Sequence, residues 1–128
     1  MNVLIDLREV GLELDQAELE ERSLLLADEL RSGNLAESTR LARQAELPDG
    51  AKSGALAFIG GVLMAEVSRE NLKQAIDFLG HRFYGKTLTL EYKADGLECA
   101  IEYRNQADIE QALATVERLE TIRIRVKD

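Results

Sequence analysis

The chain has 128 residues, of which 45% are hydrophobic and 31% charged, which is typical of a folded single domain rather than a disordered chain. Its net charge of −8, with no stripe of basic residues, argues against nucleic-acid binding, because a phosphate backbone would be repelled. Aromatic residues make up only 5% and tryptophan is absent, which argues against a surface that stacks bases or sugars. We therefore expect residues 1–128 to form one acidic domain.

Cysteine usage and hydropathy predict a cytoplasmic protein. Cys99 is the only cysteine, so no disulfide can form within the chain. Charged residues at positions 6, 8 and 9 interrupt the apolar start, which does not resemble a signal peptide. The most apolar stretch, residues 54–67, would extend about 21 Å as a helix, less than the ~30 Å hydrocarbon core of a bilayer. Membrane association is not expected.

The first third of the chain reads as a strand followed by a helix. Residues 2–7 are apolar and β-branched, which predicts a strand. Asp15 and Glu18 have the spacing of a capping box, and a helix then runs to about residue 31, where Gly33 and Asn34 end it. Its inward stripe is predicted to be Leu19, Leu25, Leu26 and Leu30.

Residues 35–47 are compatible with two structures. Their Ala, Leu, Arg and Glu content favours a helix, whereas the alternation of residues 39–46 is typical of an edge strand. Pro48 ends the segment in either case. We favour the strand.

Residues 54–67 are predicted to form an apolar helix. Gly60 and Gly61 would each lower the stability of this helix by up to about 1 kcal/mol relative to alanine. The close approach of another backbone could offset that loss. That neighbour is either this chain's own sheet or helix, or a partner subunit. A membrane surface is less favoured, because the helix itself carries few charges. The candidate interaction residues are Gly54, Ala57, Phe58, Gly60, Gly61 and Met64.

The second half of the chain predicts a helix, a hairpin, a helix and a strand. Ser68 is the predicted N-cap of a helix with an apolar line at positions 72, 76 and 79. Two alternating runs flank Asp95-Gly96, which is the strongest hairpin signal in the chain. Asp108 is expected to open a last helix, and residues 122–127 a final strand. The predicted fold is α+β, a mixed four- to five-stranded sheet with helices mainly on one face, in the order β-α-β-α-α-β-β-α-(β).

The reactive side chains are few. His81 is the only histidine; it falls near a helix end, and Cys99 falls within a strand, a setting in which a thiol is usually a small buried hydrophobe. A Cys-His catalytic pair needs both groups within hydrogen-bond reach, and a zinc site needs about four ligands. We predict no catalytic residue, no cofactor and no metal.

The loop at residues 49–54 shows partial similarity to a phosphate-binding loop. Lys52 and Ser53 precede the predicted apolar helix, but Ala51 stands where such a loop requires its second glycine. Lys52 and Ser53 are therefore candidates only for binding a lone anion at exposed amides. A small-ligand or anion sensor is the alternative function.

The order of short motifs resembles a known family. Pro48, Gly50 and Gly54 precede the apolar stretch, a helix ends in residues 75–79, Ala-Ile-Asp-Phe-Leu, and an Asp-Gly hairpin turn at residues 95–96 follows. From about residue 2 to residue 119 the chain resembles the bacterial family called effector-associated constant component one. It differs from that family in its charged residues 120–128 and its acidic first helix.

The resemblance implies a non-enzymatic adaptor in a bacterial conflict system. Members of that family look like invariable components encoded beside varied effectors, including caspase-like and trypsin-like peptidases, and they contribute no catalytic residues. The implied partner is another protein, an effector or a scaffold from a neighbouring gene, and homo-oligomers are a further option. A strand at 39–46 or at 122–127 could extend a sheet across such an interface.

Overall fold

The chain folds around a six-stranded sheet with two helices in the part of the chain that the structure describes. The structure is a computed structural model, and it describes residues 1–10, 14–43, 58–94, 97–103, 114 and 121–127. The elements are β1 (Asn2–Asp6), α1 (Gln16–Ser32), β2 (Ser38–Arg43), β3 (Phe58–Glu66), α2 (Arg69–Arg82), β4 (Thr87–Ala94), β5 (Leu97–Tyr103) and β6 (Thr121–Lys127).

The sheet is mixed and open, in the order β2-β3-β1-β6-β4-β5. β1 and β6 are parallel neighbours in the middle, with Ile5 opposite Ile124, and the other four pairings are antiparallel. The α+β class and the mixed sheet are confirmed. The predicted count of four to five strands and the predicted order of elements are wrong, because the described sheet contains one strand more.

The additional strand is β3, which replaces the helix predicted over residues 54–67. Residues 54–57 lie outside the described residues, and from Phe58 onward the chain pairs with β1 on one side and β2 on the other. Val62 and Leu63 point to opposite faces, and both are 0% exposed. A strand buried on both faces has a continuous apolar run without alternation, which sequence periodicity cannot distinguish from a buried helix.

Helix α1 begins and ends as its sequence predicts. The Asp15 side chain accepts a hydrogen bond from the Glu18 amide at 2.8 Å, and the Gly33 amide donates to the Glu29 carbonyl. The chain then leaves the helix through Asn34, whose φ of 57° is the left-handed conformation common after a helix end. Leu19, Leu26 and Leu30 are buried as predicted, whereas Leu25 is 54% exposed and belongs to the outer surface.

The second half confirms α2 and the strands around it. The Ser68 hydroxyl accepts from the Asn71 amide, and the predicted apolar line of α2 is buried. β4 and β5 form the predicted antiparallel hairpin pair, and β6 is the predicted final strand. The turn at 95–96 lies outside the described ranges. So does the segment from Asp108 to residue 119, predicted as a helix, except for residue 114, which is helical.

One face of the sheet holds most of the core. Side chains of α1 and α2 pack there against alternate residues of the central strands, among them Val3, Ile5, Leu63, Leu90 and Ile124. A second, smaller cluster lies on the opposite face and contains Leu4, Ala42 and Val62, with Met64 packed against it. The helix-bearing face therefore supplies most of the apolar burial.

Candidate functional site

The paired glycines of β3 lie beneath helix α1 of the same chain. A Cβ atom on Gly60 would stand 3.4 Å from Glu20 Cβ and 3.5 Å from the Gln16 carbonyl oxygen. At Gly61, where φ is +95°, it would stand 2.7 Å from Leu19 Cδ2. The two glycines thus allow α1 to approach β3 closely. The sequence left open whether their neighbour belongs to this chain or to a partner, and in the structure it is this chain's own helix.

The structure describes only part of the remaining predicted interaction and anion residues. Gly54, Ala57, Lys52 and Ser53 lie outside the described residues. Phe58 begins β3 opposite Arg43, and its side chain is likewise outside the description. Met64 lies on the face of the sheet opposite to the helices, between Leu4 of β1 and Arg40 of β2. The described members of this set therefore do not form one exposed surface.

His81 and Cys99 belong to different elements. His81 is in the last turn of α2, 79% exposed, with Nδ1 lying 2.9 Å from the Asp77 carbonyl oxygen and 3.8 Å from an Asp77 carboxylate oxygen. Cys99 is in β5 opposite Tyr92, and its side chain lies outside the description. The imidazole is thus engaged on its own helix surface.

A cluster of ion pairs crosses the centre of the sheet, and we call it the Asp6 cluster. Asp6 is 3% exposed, and its carboxylate accepts hydrogen bonds from Arg8 Nη2 and Arg123 Nη2, each at 2.8 Å. Next to it, Arg125 pairs with Glu91 of β4 at 3.0 Å and with Glu9. The members are Asp6, Arg8, Glu9, Glu91, Arg123 and Arg125, so three guanidinium groups are matched by three carboxylates.

The surroundings of Asp6 fix its charge. Burial of the carboxyl raises its pKa, but the hydrogen bonds and the charge of Arg8, together with the bond from Arg123, outweigh burial and leave the pKa below the ordinary value. Asp6 is therefore ionised near neutral pH and saturated by donors. It joins β1 to β6 and is not placed to act as an acid or base. Sequence reasoning noted its charge only as an interruption of the apolar start, because its partner Arg123 is remote in sequence.

The two strands at the ends of the sheet order are β2 and β5, so each has one side without a neighbouring strand in the described sheet. Of the two segments that the sequence left open as interface strands, residues 122–127 form β6, which is paired on both sides by β1 and β4. The segment at 39–46 overlaps β2 (Ser38–Arg43), and among the described strands β2 is paired with β3 alone. Of these two segments, only the earlier one has a side without a neighbour among the described strands.

A small apolar cleft lies where the loop after β1 meets α1 and the end of α2, and we call it the Phe83 cleft. It encloses about 70 Å³, and its apolar lining is Leu7, Val10, Leu14, Leu19, Leu26 and Phe83. Arg22 and Arg82 complete its lining. The sequence analysis missed it, because its walls come from segments that are distant in the chain and become neighbours only in the folded domain.

Among the described residues, no group of three or more His, Cys, Asp or Glu side chains is placed to hold a metal ion. Neither helix in the described part combines the length and hydropathy that crossing a bilayer requires. The chain matches no protein-family model, and no curated protein or solved structure is significantly similar to it.

Proposed function

We propose that this chain is a non-enzymatic adaptor that binds a second protein, and that the outer edge of β2 is the surface it uses. The partner is an effector or scaffold encoded beside it in a bacterial conflict system, acting in the cytoplasm. The order of motifs that resembles the effector-associated constant component one family supports the process. The observation that carries the binding mode is the edge position of β2 in an open sheet.

An edge strand offers backbone donors and acceptors to another strand. Roughly every second residue of such a strand directs its N–H and C=O away from the sheet, where an extended segment of a partner can pair with them. β2 has six residues, Ser38–Arg43, which is a usual strand length. In this mode the main chain supplies affinity and the alternating side chains supply specificity.

The side chains of β2 favour an acidic partner strand. Arg40 and Arg43 are exposed, and the strand Ser38–Arg43 contains no carboxylate although the chain as a whole carries a net charge of −8. Its pairing with β3 shifts register between Leu41 and Arg43. Charges and bulges of this kind keep an edge from pairing indiscriminately, so a partner needs complementary charge to use it.

Co-expression with the products of the neighbouring genes tests the proposal. We expect one of them to co-purify with the chain at a fixed stoichiometry in size-exclusion chromatography. Arg40→Glu is expected to weaken that complex, because it places a carboxylate against an acidic strand. Arg31→Glu is the matched control, since Arg31 is an exposed arginine at the end of α1.

Two results would count against the proposal, and they are distinct. A chain that elutes alone with every neighbouring product contradicts the adaptor function. A complex that survives Arg40→Glu unchanged, or that Arg31→Glu weakens equally, contradicts the β2 edge as its surface. The anion-sensor alternative stays a prediction, because its residues 49–54 lie outside the described part of the chain.

A further inference from the structure

The Phe83 cleft has room for one side chain of a binding partner. An apolar cavity of about 150 Å³ is known to hold benzene, and one water needs about 10–15 Å³, so the 70 Å³ here suits a single branched aliphatic group. Three of its walls, Leu7, Leu19 and Leu26, are buried members of the main core. The floor of the cleft is therefore a fixed part of the fold.

Two arginines give the cleft a basic rim. The Arg82 guanidinium is held in place, with Nε 3.1 Å from Glu29 Oε2 and Cζ 5.6 Å from the centre of the Phe83 ring. Arg22 is exposed and makes no hydrogen bond or ion pair with any described residue. Glu29 neutralises the charge of Arg82, which leaves the Arg22 guanidinium as the net positive charge in the lining of the cleft.

Two large exposed apolar side chains are close in sequence to lining residues of the cleft. Leu25 follows Arg22 by one helical turn, and Tyr84 directly follows Phe83 and is 91% exposed. Large apolar groups beside a concave apolar site with charged residues at its rim are characteristic of protein-binding surfaces.

From these observations we propose that the Phe83 cleft receives one aliphatic side chain from an acidic segment of a partner protein, whose carboxylates pair with Arg22 and Arg82. The apolar walls select the side chain, and the basic rim selects the charge of its neighbours. This inference rests on the proposed adaptor function and names a second contact for it, separate from the β2 edge.

An NMR titration of the full-length, ¹⁵N-labelled chain tests the inference directly. The probe is a synthetic peptide, Asp-Glu-Glu-Leu-Glu-Asp, added to millimolar concentration. We expect amide shifts to concentrate at Leu19, Arg22, Leu26 and Phe83. Replacing the peptide's leucine by glycine should weaken binding about tenfold or more, since burying a leucine contributes about 1.5–3 kcal/mol. No shift at these amides overturns the inference.

Two protein variants separate the apolar and the charged contribution. Val10→Phe fills the cleft and should abolish the shifts, and circular dichroism checks that the variant is folded. Arg22→Gln should weaken peptide binding about two- to fivefold, as for other exposed ion pairs, and Arg31→Gln should leave it unchanged. Equal weakening by Arg22→Gln and Arg31→Gln overturns the inference even if Val10→Phe does not fold.

The same variants distinguish this inference from the adaptor function on which it rests. If a neighbouring gene product co-purifies and Arg22→Gln and a folded Val10→Phe leave the complex unchanged, the adaptor function stands and the cleft is not its contact. If the chain instead forms a dimer that Val10→Phe dissociates, the occupant is a second copy of this chain and the proposal of an acidic partner is wrong. Loss of a co-purifying partner with Val10→Phe supports it.

Discussion

Replacing Gly61 by alanine tests the close packing of α1 on β3. The new Cβ would stand 2.7 Å from Leu19 Cδ2 and 3.0 Å from Arg8 Cγ, and the backbone there has a φ of +95° that residues other than glycine rarely adopt. The strained backbone costs about 1–2 kcal/mol and the overpacking about 1–3 kcal/mol. We therefore expect the free energy of unfolding to fall by about 2–5 kcal/mol, a large part of the ~5–15 kcal/mol typical of a domain.

Gly85→Ala supplies the matched control for this prediction. Gly85 also has a positive φ, +87°, but no atom lies within 4 Å of where its Cβ would stand. Its substitution should cost only the backbone strain, about 1–2 kcal/mol. Urea unfolding followed by circular dichroism measures both variants. If Gly61→Ala is no more destabilising than Gly85→Ala, then α1 does not pack on β3 as described.

The other predictions concern the Asp6 cluster and the helix caps. Asp6→Asn leaves Arg123 partly buried without its carboxylate, and the free energy of unfolding should fall by about 3 kcal/mol at pH 7, measured by urea unfolding. Because the pKa of Asp6 is lowered in the folded state, its ionised form contributes to the free energy of unfolding above the unfolded pKa of about 3.9. This contribution is lost as pH falls through the folded-state pKa. The stability of Asp6→Asn should therefore decline less steeply with acid than that of the parent chain. Asp15→Ala and Ser68→Ala each remove a helix N-cap and should lower the free energy of unfolding by about 1 kcal/mol, measured by thermal unfolding. A variant as stable as the parent chain would contradict the capping hydrogen bond at that position.

Most elements were predictable because their signals are local. The cap at Asp15, the cap at Ser68 and the alternation in residues 97–103 each depend on a few adjacent residues, and the structure places a helix or strand at each. Leu25 shows the limit of such signals. It is adjacent to Leu26 in sequence, but the buried face of α1 extends to Ser23 and Ala27 instead and leaves Leu25 exposed.

The prediction for β3 was wrong for a physical reason. Val62 and Leu63 are both fully buried because the strand lies between β1 and β2 and has apolar contacts on both faces. The resulting apolar run carries no period. The two interior glycines, Gly60 and Gly61, were the sequence feature that argued against a helix, since glycine disfavours one. In the strand, Gly61 adopts a positive φ.

From the sequence, the first candidate surface was one of two possible strands, and the second candidate surface was not found. Residues 39–46 and 122–127 alternate in the same way, and only the order of strands makes β2 an edge and β6 a central strand. The Phe83 cleft depends on Leu14 and Phe83 becoming neighbours across α1, which no local pattern encodes. Both surfaces are consequences of tertiary arrangement.

Amide hydrogen exchange tests the central proposal most directly. The exchange rates of the amides in Ser38–Arg43 are measured in the free chain and in its complex with the co-purified neighbouring gene product. We expect about every second amide of β2 to exchange more slowly in the complex, because the partner's strand accepts hydrogen bonds from the outward-facing N–H groups. A stable complex in which all β2 amides exchange as they do in the free chain would contradict the proposal.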